Sequence, residues 1–222
     1  METGSFNVRG MTVYEFGNKD ADYILLEPID EHDIPVIENE FKTICLHTSV
    51  DFCLRAISVN NWNDNLSPWE APAVFGQESF GGGSAELLQV IMNMLYDKRK
   101  HYVIGGYSMA GLFALWAGFQ TDAFEAVAAA SPSVWFPGFT EYMENKDVKV
   151  KTMYLSLGDR EARTKNPVMS TVEDRIRESY RILDRKGVRV TLGWNKGNHF
   201  KDMDIRMANA FVWILNIIMT TN

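Results

Sequence analysis

The sequence predicts an α/β fold, in which helices cover both faces of a mostly parallel, twisted β-sheet that begins with an antiparallel hairpin. Two observations lead to this prediction. Two strand-like segments near the start are followed by short apolar strands that alternate with segments of helical period. No linker and no internal repeat interrupts the 222 residues. We therefore expect one domain that spans residues 1–222.

The first elements follow from local composition and spacing. The opening hairpin is predicted from residues 6–16 and 22–29, which have strand composition and flank the turn-forming sequence GNKDA. Residues 34–48 have the pattern of a helix, with Asp33 as its cap and Pro35 in its first turn. The apolar positions that should face inward are Ile34, Ile37, Phe41, Ile44 and Cys45.

The rest of the chain alternates strands with helices. Apolar runs predict strands at 52–60, 102–106, 125–131, 148–157 and 188–194. Apolar residues at helical spacing predict helices at 84–99 (with Ser84 as N-cap), directly after Ser108, at 168–186 and at 203–219. Residues 61–83 show no clean period, and a connection of that length in a compact domain often serves as a binding loop.

Charge and composition argue against several classes of protein. The formal net charge is −7 and the lysines and arginines are scattered, so we expect no nucleic-acid partner. No apolar stretch approaches the roughly 20 residues of a membrane span, and no signal peptide is visible, so we expect a cytoplasmic protein without a membrane partner. Cys45 and Cys53 are too few for a disulfide framework, and we expect two reduced, mostly buried thiols.

Residues 105–111 (GGYSMAG) place Ser108 between a predicted strand and a predicted helix. Gly106 and Ala110, two positions before and after the serine, are small enough for a sharp turn that exposes the hydroxyl. This spacing is typical of a nucleophile elbow, with alanine in the last position. A glycine-lined turn without chemistry is the alternative. A phosphate-binding loop is excluded, because leucine and phenylalanine follow the motif instead of lysine and serine or threonine.

A serine nucleophile needs a general base, and position along the strands selects among the four histidines. His101 begins the strand that leads to Ser108, so it lies roughly 20 Å away at the opposite edge of the sheet. His47 ends a helix that leads into a parallel strand, which places it at that same edge, and His32 lies in an acidic, surface-like loop. His199 follows the last predicted strand at the carboxyl edge, and we predict that it is the base.

The acid that orients the base should follow the penultimate strand, in the segment LSLGDREARTKNP. Asp159 is nearest to the strand end. Glu161 stands three residues beyond Gly158, where a turn can direct its longer side chain back toward the histidine. We favour Glu161 and keep Asp159 as the alternative, and we expect the unused carboxylate to be a solvated loop charge.

The chain resembles an esterase family of the α/β-hydrolase superfamily that includes siderophore esterases, S-formylglutathione hydrolases, feruloyl esterases and mycolyltransferases. The resemblance covers roughly residues 20–215 and is carried by GGYSMAG with LFALWAG, WNDNLSPW, SPSVWFPGF, SLGDRE and GNHF. It implies an α/β-hydrolase fold in which Ser108 and His199 match the nucleophile and base and Glu161 matches the acid. The order serine, acid, histidine is also that of this fold. Many relatives are secreted or carry an extra domain, features not visible here, so their substrates do not transfer.

Two backbone N–H groups are expected to stabilise the oxyanion. One belongs to Met109, directly after the nucleophile, and the other to Trp62 beyond an earlier strand, with Asn61 as its alternative. A purely packing role for the Trp62 ring is an equal alternative. The aromatic residues that could form the substrate pocket, although large aromatics are more often core, are Trp135, Trp69, Tyr107, Phe75, Phe80 and Phe136.

These observations together predict a serine carboxylesterase-type hydrolase that cleaves a small-molecule ester through an acyl-serine intermediate. We expect neither a metal nor an organic cofactor. The same residues would serve an acyltransferase or a thioesterase. A catalytically inert binding module with an α/β-hydrolase fold is the alternative from another class. The sequence indicates neither the natural substrate nor the oligomeric state.

Overall fold

A computed structural model describes residues 2–220 of the chain. Within these residues, eight strands form one sheet, in the order β1-β2-β4-β3-β7-β8-β9-β10, and β5 and β6 form a separate small ribbon. The strands are β1 (Glu2–Val8), β2 (Met11–Gly17), β3 (Tyr23–Ile29), β4 (Phe52–Ser58), β5 (Glu70–Ala71), β6 (Phe80–Gly81), β7 (His101–Tyr107), β8 (Ala126–Ala130), β9 (Thr152–Gly158) and β10 (Arg189–Asn195). The helices are α1 (Ile34–His47), α2 (Trp62–Asn65), α3 (Ser84–Met92), α4 (Met109–Gln120), α5 (Phe139–Asn145), α6 (Val172–Arg185) and α7 (Met203–Met219).

The sheet is mostly parallel, as the sequence predicts. Strands β4, β3, β7, β8, β9 and β10 run parallel to one another, and β2 joins them antiparallel to β4. Helices α1 and α7 pack together on one face of this sheet. The apolar residues of α3, α4, α5 and α6 belong to the core on the other face. The carboxyl ends of the six parallel strands therefore meet at one edge, which the loops extend.

The N-terminal hairpin is antiparallel, but its predicted position is wrong. Strands β1 and β2 pair with each other through a turn at Arg9 and Gly10, whose φ angles are 48° and 87°. Two left-handed residues form the primed turn that joins strands tightly, and an arginine gives no sign of it in sequence. The expected partner of β2, residues 22–29, is instead separated from it by β4.

Three smaller predictions also need correction. The helix predicted at 84–99 ends at Met92, where the backbone tightens into turns in which the N–H groups of Met94 and Leu95 donate to the carbonyls of Ile91 and Met92. Gly83 occupies its N-cap position, and Ser84 is the buried first residue. Cys45 is exposed, whereas Cys53 is buried.

Helix α5 has no counterpart among the predicted elements. It begins after Gly138, which has the left-handed φ of 79°, and contains only seven residues.

Among the described residues, no helix combines the length and the apolar character that crossing a membrane requires.

Candidate active site

Ser108 lies in a strained turn between β7 and α4. Its backbone has φ 58° and ψ −118°, in a region that residues other than glycine rarely adopt. A Cβ atom at Gly106 would lie 2.4 Å from the carbonyl carbon of Ala110, and one at Gly111 would lie 2.9 Å from the Gly106 oxygen. The turn is tied to the next strand, since the Ser108 N–H donates to the carbonyl of Ala130 over 3.2 Å. Small neighbours are thus a steric requirement of this turn.

His199 lies in the loop that connects β10 to α7 and faces Ser108. Its Nε2 atom is 3.0 Å from Ser108 Oγ, and its Nδ1 atom is 2.7 Å from Glu161 Oε2. Since a carboxylate only accepts, we assign the proton to Nδ1, which leaves Nε2 to accept from the serine hydroxyl. The Tyr107 hydroxyl donates to the His199 carbonyl over 2.7 Å and so holds the backbone of the loop.

The other three histidines lie away from this hydroxyl contact. His101 begins β7 and contacts Glu125 at the opposite edge of the sheet. His47 Nδ1 is 2.8 Å from the carbonyl of Thr43 within its own helix. His32 is exposed and pairs with Asp30.

Glu161 is almost completely buried, with 3% of its side chain exposed. Its Oε1 atom accepts from the Gly158 N–H and the Ser131 hydroxyl, each over 2.7 Å. Burial acts to raise the pKa of Glu161, but the hydrogen bonds and charge of His199, together with Ser131 and Gly158, outweigh it and leave the pKa below its usual value. The carboxylate is therefore held ionised in a buried position.

Asp159, the alternative acid, lies elsewhere. Its side chain is half-exposed, and its Oδ1 atom accepts from the Gly197 N–H over 2.8 Å. It therefore links the loop after β9 to the loop after β10 and makes no contact with the imidazole of His199.

Arg206 is a buried member of this network that the sequence analysis missed. Its Nη1 atom donates to Glu161 Oε1 over 2.9 Å, and its Nη2 atom donates to the carbonyls of Asn198 (2.9 Å) and Lys196 (3.3 Å). One guanidinium thus binds both the acid and the loop that carries His199. The sequence does contain a signal for Arg206. It falls in line, at a spacing of four residues, with the inward-facing apolar positions of the last helix.

Two serines after β8 were also missed. Ser131, with a left-handed φ of 45°, donates its hydroxyl to Glu161. Ser133 Oγ lies 3.3 Å from Ser108 Oγ, and its N–H donates to the Ser108 carbonyl over 3.0 Å. Their position after a strand at the carboxyl edge is the only signal the sequence offers.

Two cavities meet at Ser108 and His199. One, of about 560 Å³, has mainly aromatic and apolar walls that include Trp62, Phe75 and Trp135. We call it the aromatic cavity. The other, of about 490 Å³, lies between the loop after β3, α1 and the start of α7, and we call it the acidic cavity because carboxylates at five positions line it: Glu27, Asp30, Asp33, Glu40 and Asp204. An elongated ligand could place its two ends in different cavities with its middle at Ser108.

The positions of the candidate oxyanion donors suit that role. Met109 and Trp62 are the first residues of α4 and α2, so their N–H groups have no acceptor within their own helices. Both residues line the aromatic cavity together with Ser108. Asn61 precedes Trp62 and does not line either cavity.

The predicted pocket residues divide into two groups. Trp135 lines the aromatic cavity, and Tyr107 lines the acidic cavity, where burial raises its pKa to about 12. Trp69, the third of these residues, lines neither cavity. Its ring packs against Phe136 and Tyr142, and its Nε1 donates to the Pro137 carbonyl, because the loop folds back over α5. Like Trp69, the buried Phe80 and Phe136 line neither cavity.

Within residues 2–220, no three or more His, Cys, Asp or Glu side chains are grouped so that they could hold a metal ion.

Comparison with known proteins identifies the fold. No family model and no curated protein matches the chain. Among solved structures, the siderophore hydrolase EstA from Aspergillus nidulans is similar with a TM-score of 0.70 and 17% identity, over 96% of this chain and 94% of its own. The enterobactin hydrolase IroE in complex with DFP has a TM-score of 0.66 and 16% identity, over 95% and 93%. The esterase Pf2001 from Pyrococcus furiosus has a TM-score of 0.61 and 13% identity, over 98% and 91%. These likenesses confirm the predicted α/β-hydrolase fold.

Proposed function

We propose that this protein is a serine hydrolase that cleaves a carboxylic ester of a small molecule through an acyl-serine intermediate. The observation that carries the proposal is the continuous chain of hydrogen bonds from Ser108 Oγ through His199 to Glu161, located where two cavities meet. A serine hydroxyl is a weak nucleophile at neutral pH, and these are the groups that it needs for activation.

In the first half of the reaction, Ser108 Oγ attacks the ester carbonyl while His199 Nε2 takes the hydroxyl proton. The Glu161 carboxylate, which accepts from Nδ1, stabilises the imidazolium that forms and keeps the ring oriented. The ester C–O bond then breaks, and the imidazolium returns its proton to the leaving alcohol. The product at this stage is an ester between the acyl group and Ser108.

The negative charge on the carbonyl oxygen of the tetrahedral intermediate needs fixed donors. We assign them to the backbone N–H groups of Met109 and Trp62, which begin two helices beside Ser108. Donors at helix N-termini carry the positive end of the helix dipole, although α2 has only four residues and adds little by this route.

In the second half, water activated by His199 attacks the acyl-serine, and Ser108 leaves with the returned proton. An alcohol or amine in place of water would make the protein an acyltransferase, and a thioester substrate would make it a thioesterase, with the same residues in the same roles. Rates on matched ester, thioester and amide substrates separate these possibilities.

The structural neighbours support ester hydrolysis as the reaction class, since they are described as a siderophore hydrolase, an enterobactin hydrolase and an esterase. Because the identities are 17% or lower, their substrates carry no weight for this chain. The reaction class of the neighbours supports ester hydrolysis, and the side-chain geometry alone supports Ser108 as the nucleophile.

A fluorophosphonate probe tests the proposal, because an activated serine oxygen displaces its fluoride and becomes phosphonylated. We expect the native chain to be labelled on Ser108, and the Ser108→Ala and His199→Ala variants to lose both labelling and ester hydrolysis, with kcat lower by about 10⁴-fold or more. The control is Ser133→Ala, which removes the neighbouring hydroxyl and should still be labelled. Absence of labelling in the native chain would favour the inert binding module.

A further inference from the structure

The acidic cavity contains two carboxyl groups for which the proposed chemistry has no use. Glu27 in β3 is 4% exposed and Glu40 in α1 is 1% exposed, and both line the cavity that opens at Ser108. The two carboxyls share a hydrogen bond with each other, but Glu27 Oε2 and Glu40 Oε1 have no hydrogen-bond partner in the part of the chain that the structure describes. Buried carboxyl oxygens without donors are rare in folded proteins, and they invite a ligand that supplies donors.

The surroundings of this pair add negative charge. Asp33 at the N-cap of α1 and Asp204 in α7 line the same cavity; Asp204 accepts a hydrogen bond from the Asn39 side chain, and neither carboxylate has an ion-pair partner among the described residues. Asp30 contacts the exposed His32 at the mouth. No lysine or arginine of the described chain lines the cavity, whereas arginines line the aromatic cavity. Five acidic side chains without a lysine or arginine beside them favour a cationic ligand.

The position of the pair relative to Ser108 sets the length of the ligand. Leu26 in β3 pairs with Ile104 in β7, so Glu27 lies level with Gly105, three residues before Ser108. At about 3.3 Å per residue, the backbone of Glu27 lies roughly 10 Å from that of Ser108 along the strand direction. Glu27 is on the sheet face that α1 and α7 cover, since Leu25 and Ile29, each two residues away in β3, pack into the core on that face.

Apolar side chains form much of the remaining wall of the acidic cavity. Pro28, Ile29, Val36, Ile37, Met203 and Met207 line the cavity along with the acids. Such a lining suits an alkyl chain, and the carboxyls at its inner end suit a charged group on that chain.

We propose that the acidic cavity binds an ammonium group at the end of an alkyl chain of the ester substrate, with Glu27 and Glu40 as its main partners. This inference rests on the proposed ester hydrolysis and names its substrate class. Hydroxyl groups of a neutral polyol could also donate to these oxygens, but they would leave the carboxylate charge uncompensated. The other side of the ester would occupy the aromatic cavity.

Because both carboxyls are buried, ligand binding should change the number of protons bound to the protein, and this change can be measured. Desolvation raises the pKa of Glu27 to about 7, and burial beside Glu27 and Asp204 raises that of Glu40 well above its usual value, so the pair retains a proton near neutrality. The titratable groups that line the cavity around the pair are Asp33 at the N-cap of α1, Asp204 in α7, and Asp30, His32, Tyr107 and His199. An entering ammonium ion would stabilise both ionised carboxylates, so its binding should release a proton and tighten as pH rises through 7.

The first experiment compares matched esters. 5-Aminopentyl acetate and hexyl acetate differ by an ammonium in place of a methyl group, and methyl 6-aminohexanoate and methyl heptanoate form the same pair with the charge on the acyl side. For at least one pair, we expect kcat/KM to be about tenfold or more higher for the cationic ester, because hydrogen bonds to charged groups are strong. Glu40→Gln should reduce that ratio, as should Asp33→Asn if Glu40→Gln does not fold. Glu86→Gln, which removes an exposed charge outside both cavities, should not change it.

The second experiment measures binding without catalysis. Calorimetry of the Ser108→Ala protein with n-hexylamine, in buffers of different ionisation enthalpy, should show binding with proton release, and 1-hexanol and sorbitol should bind more weakly. Hydrolysis of the neutral esters without a cationic preference, or sorbitol binding better than hexylamine, would overturn the acidic-cavity proposal and leave ester hydrolysis standing. If no ester is cleaved, the proposed function fails, and hexylamine binding to the Ser108→Ala protein still decides whether the cavity recognises a cation.

Discussion

At the scale of single residues, the buried Glu161 carboxylate depends on the donors around it. Burial alone would favour its neutral form. The His199 imidazole, the Ser131 hydroxyl, the Gly158 N–H and the Arg206 guanidinium all donate to it. The side chain is therefore fixed at both oxygens, and the imidazole that it holds has one orientation toward Ser108. Replacement of this carboxylate by an amide should therefore lower the rate of the proposed reaction.

We expect Glu161→Gln to lower kcat on a neutral ester by about 10⁴-fold, because an amide cannot stabilise the imidazolium and its NH₂ group can force the wrong tautomer. The matched control is Asp159→Asn, two residues away in the same loop, which should keep kcat within a few-fold of the native value. Steady-state kinetics of both variants checks the prediction. A larger loss in Asp159→Asn than in Glu161→Gln would reverse the assignment of the acid.

Arg206 is a positioning residue, since it acts through Glu161 and the loop of His199. Arg206→Met would leave a buried carboxylate with one cationic partner fewer, and we expect it to reduce the free energy of unfolding by about 3–5 kcal/mol. Arg206→Lys keeps the charge but cannot hold the carbonyls of Asn198 and Lys196 together with the acid.

Denaturation and kinetics separate the two roles of Arg206. Arg206→Lys should recover much of the stability that Arg206→Met loses, while kcat stays low and KM changes little. A purely structural arginine would instead give kcat that recovers in step with stability.

At the scale of elements, the turn from β7 to α4 depends on glycine where backbone approaches backbone. A Cβ at Gly106 would lie 2.4 Å from the carbonyl carbon and 2.5 Å from the oxygen of Ala110. Neither atom is on a flexible side chain, so the helix itself would have to shift. We expect Gly106→Ala to lower the free energy of unfolding by about 3 kcal/mol or more, at the upper end of overpacking effects.

The control for this variant is Gly4→Ala, since a Cβ at Gly4 meets nothing within 4 Å. It should stay within about 0.5 kcal/mol of the native chain. Urea denaturation measures both changes, and fluorophosphonate labelling shows whether Ser108 is still presented. Native stability and native labelling in Gly106→Ala would contradict the steric argument.

Sequence patterns predict the elements whose period is long and uninterrupted. Helix α7 has the predicted bounds, because its apolar face persists over 17 residues. Helix α5 has only seven residues, which are too few to show a helical period, and it starts after a left-handed glycine. The hairpin turn was missed because Arg9 adopts a positive φ that its residue type disfavours. Local exceptions of this kind are set by tertiary context.

The same division applies to the candidate site. The spatial meeting of Ser108, Glu161 and His199 is predictable, because parallel strands deliver their carboxyl ends to one edge and each residue follows such an end. The contacts of Arg206 are not predictable from the sequence, since they join the inner face of one helix to two separate loops. The acidic cavity also escapes sequence analysis, because it needs β3 and α1 to place Glu27 and Glu40 side by side.

At the scale of the whole molecule, charge is distributed unevenly around the carboxyl edge of the sheet. The acidic cavity lies between the sheet and the helices α1 and α7, and the aromatic cavity lies on the other side of Ser108, beside Arg160 and Arg163. A buried acid without a cationic partner lowers the stability of the folded state, so this carboxyl pair, in a cavity that reaches Ser108, fits a ligand site better than a packing role. This loss of folded-state stability should be visible in the pH dependence of the free energy of unfolding.

Burial raises the pKa of Glu27 to about 7 in the folded chain, against 4.5 for the ordinary side chain. The folded state thus binds more protons between these values, and stability falls as pH rises from about 4.5 to 7 and stays low above 7. Glu27→Gln removes this penalty, so its gain over the native chain should grow from near zero at pH 4.5 to as much as about 3 kcal/mol at pH 8. Urea denaturation across this range measures the gain, and Glu86→Gln, which removes an exposed carboxylate, should show no such growth. A constant difference for Glu27→Gln would mean that Glu27 is ionised throughout.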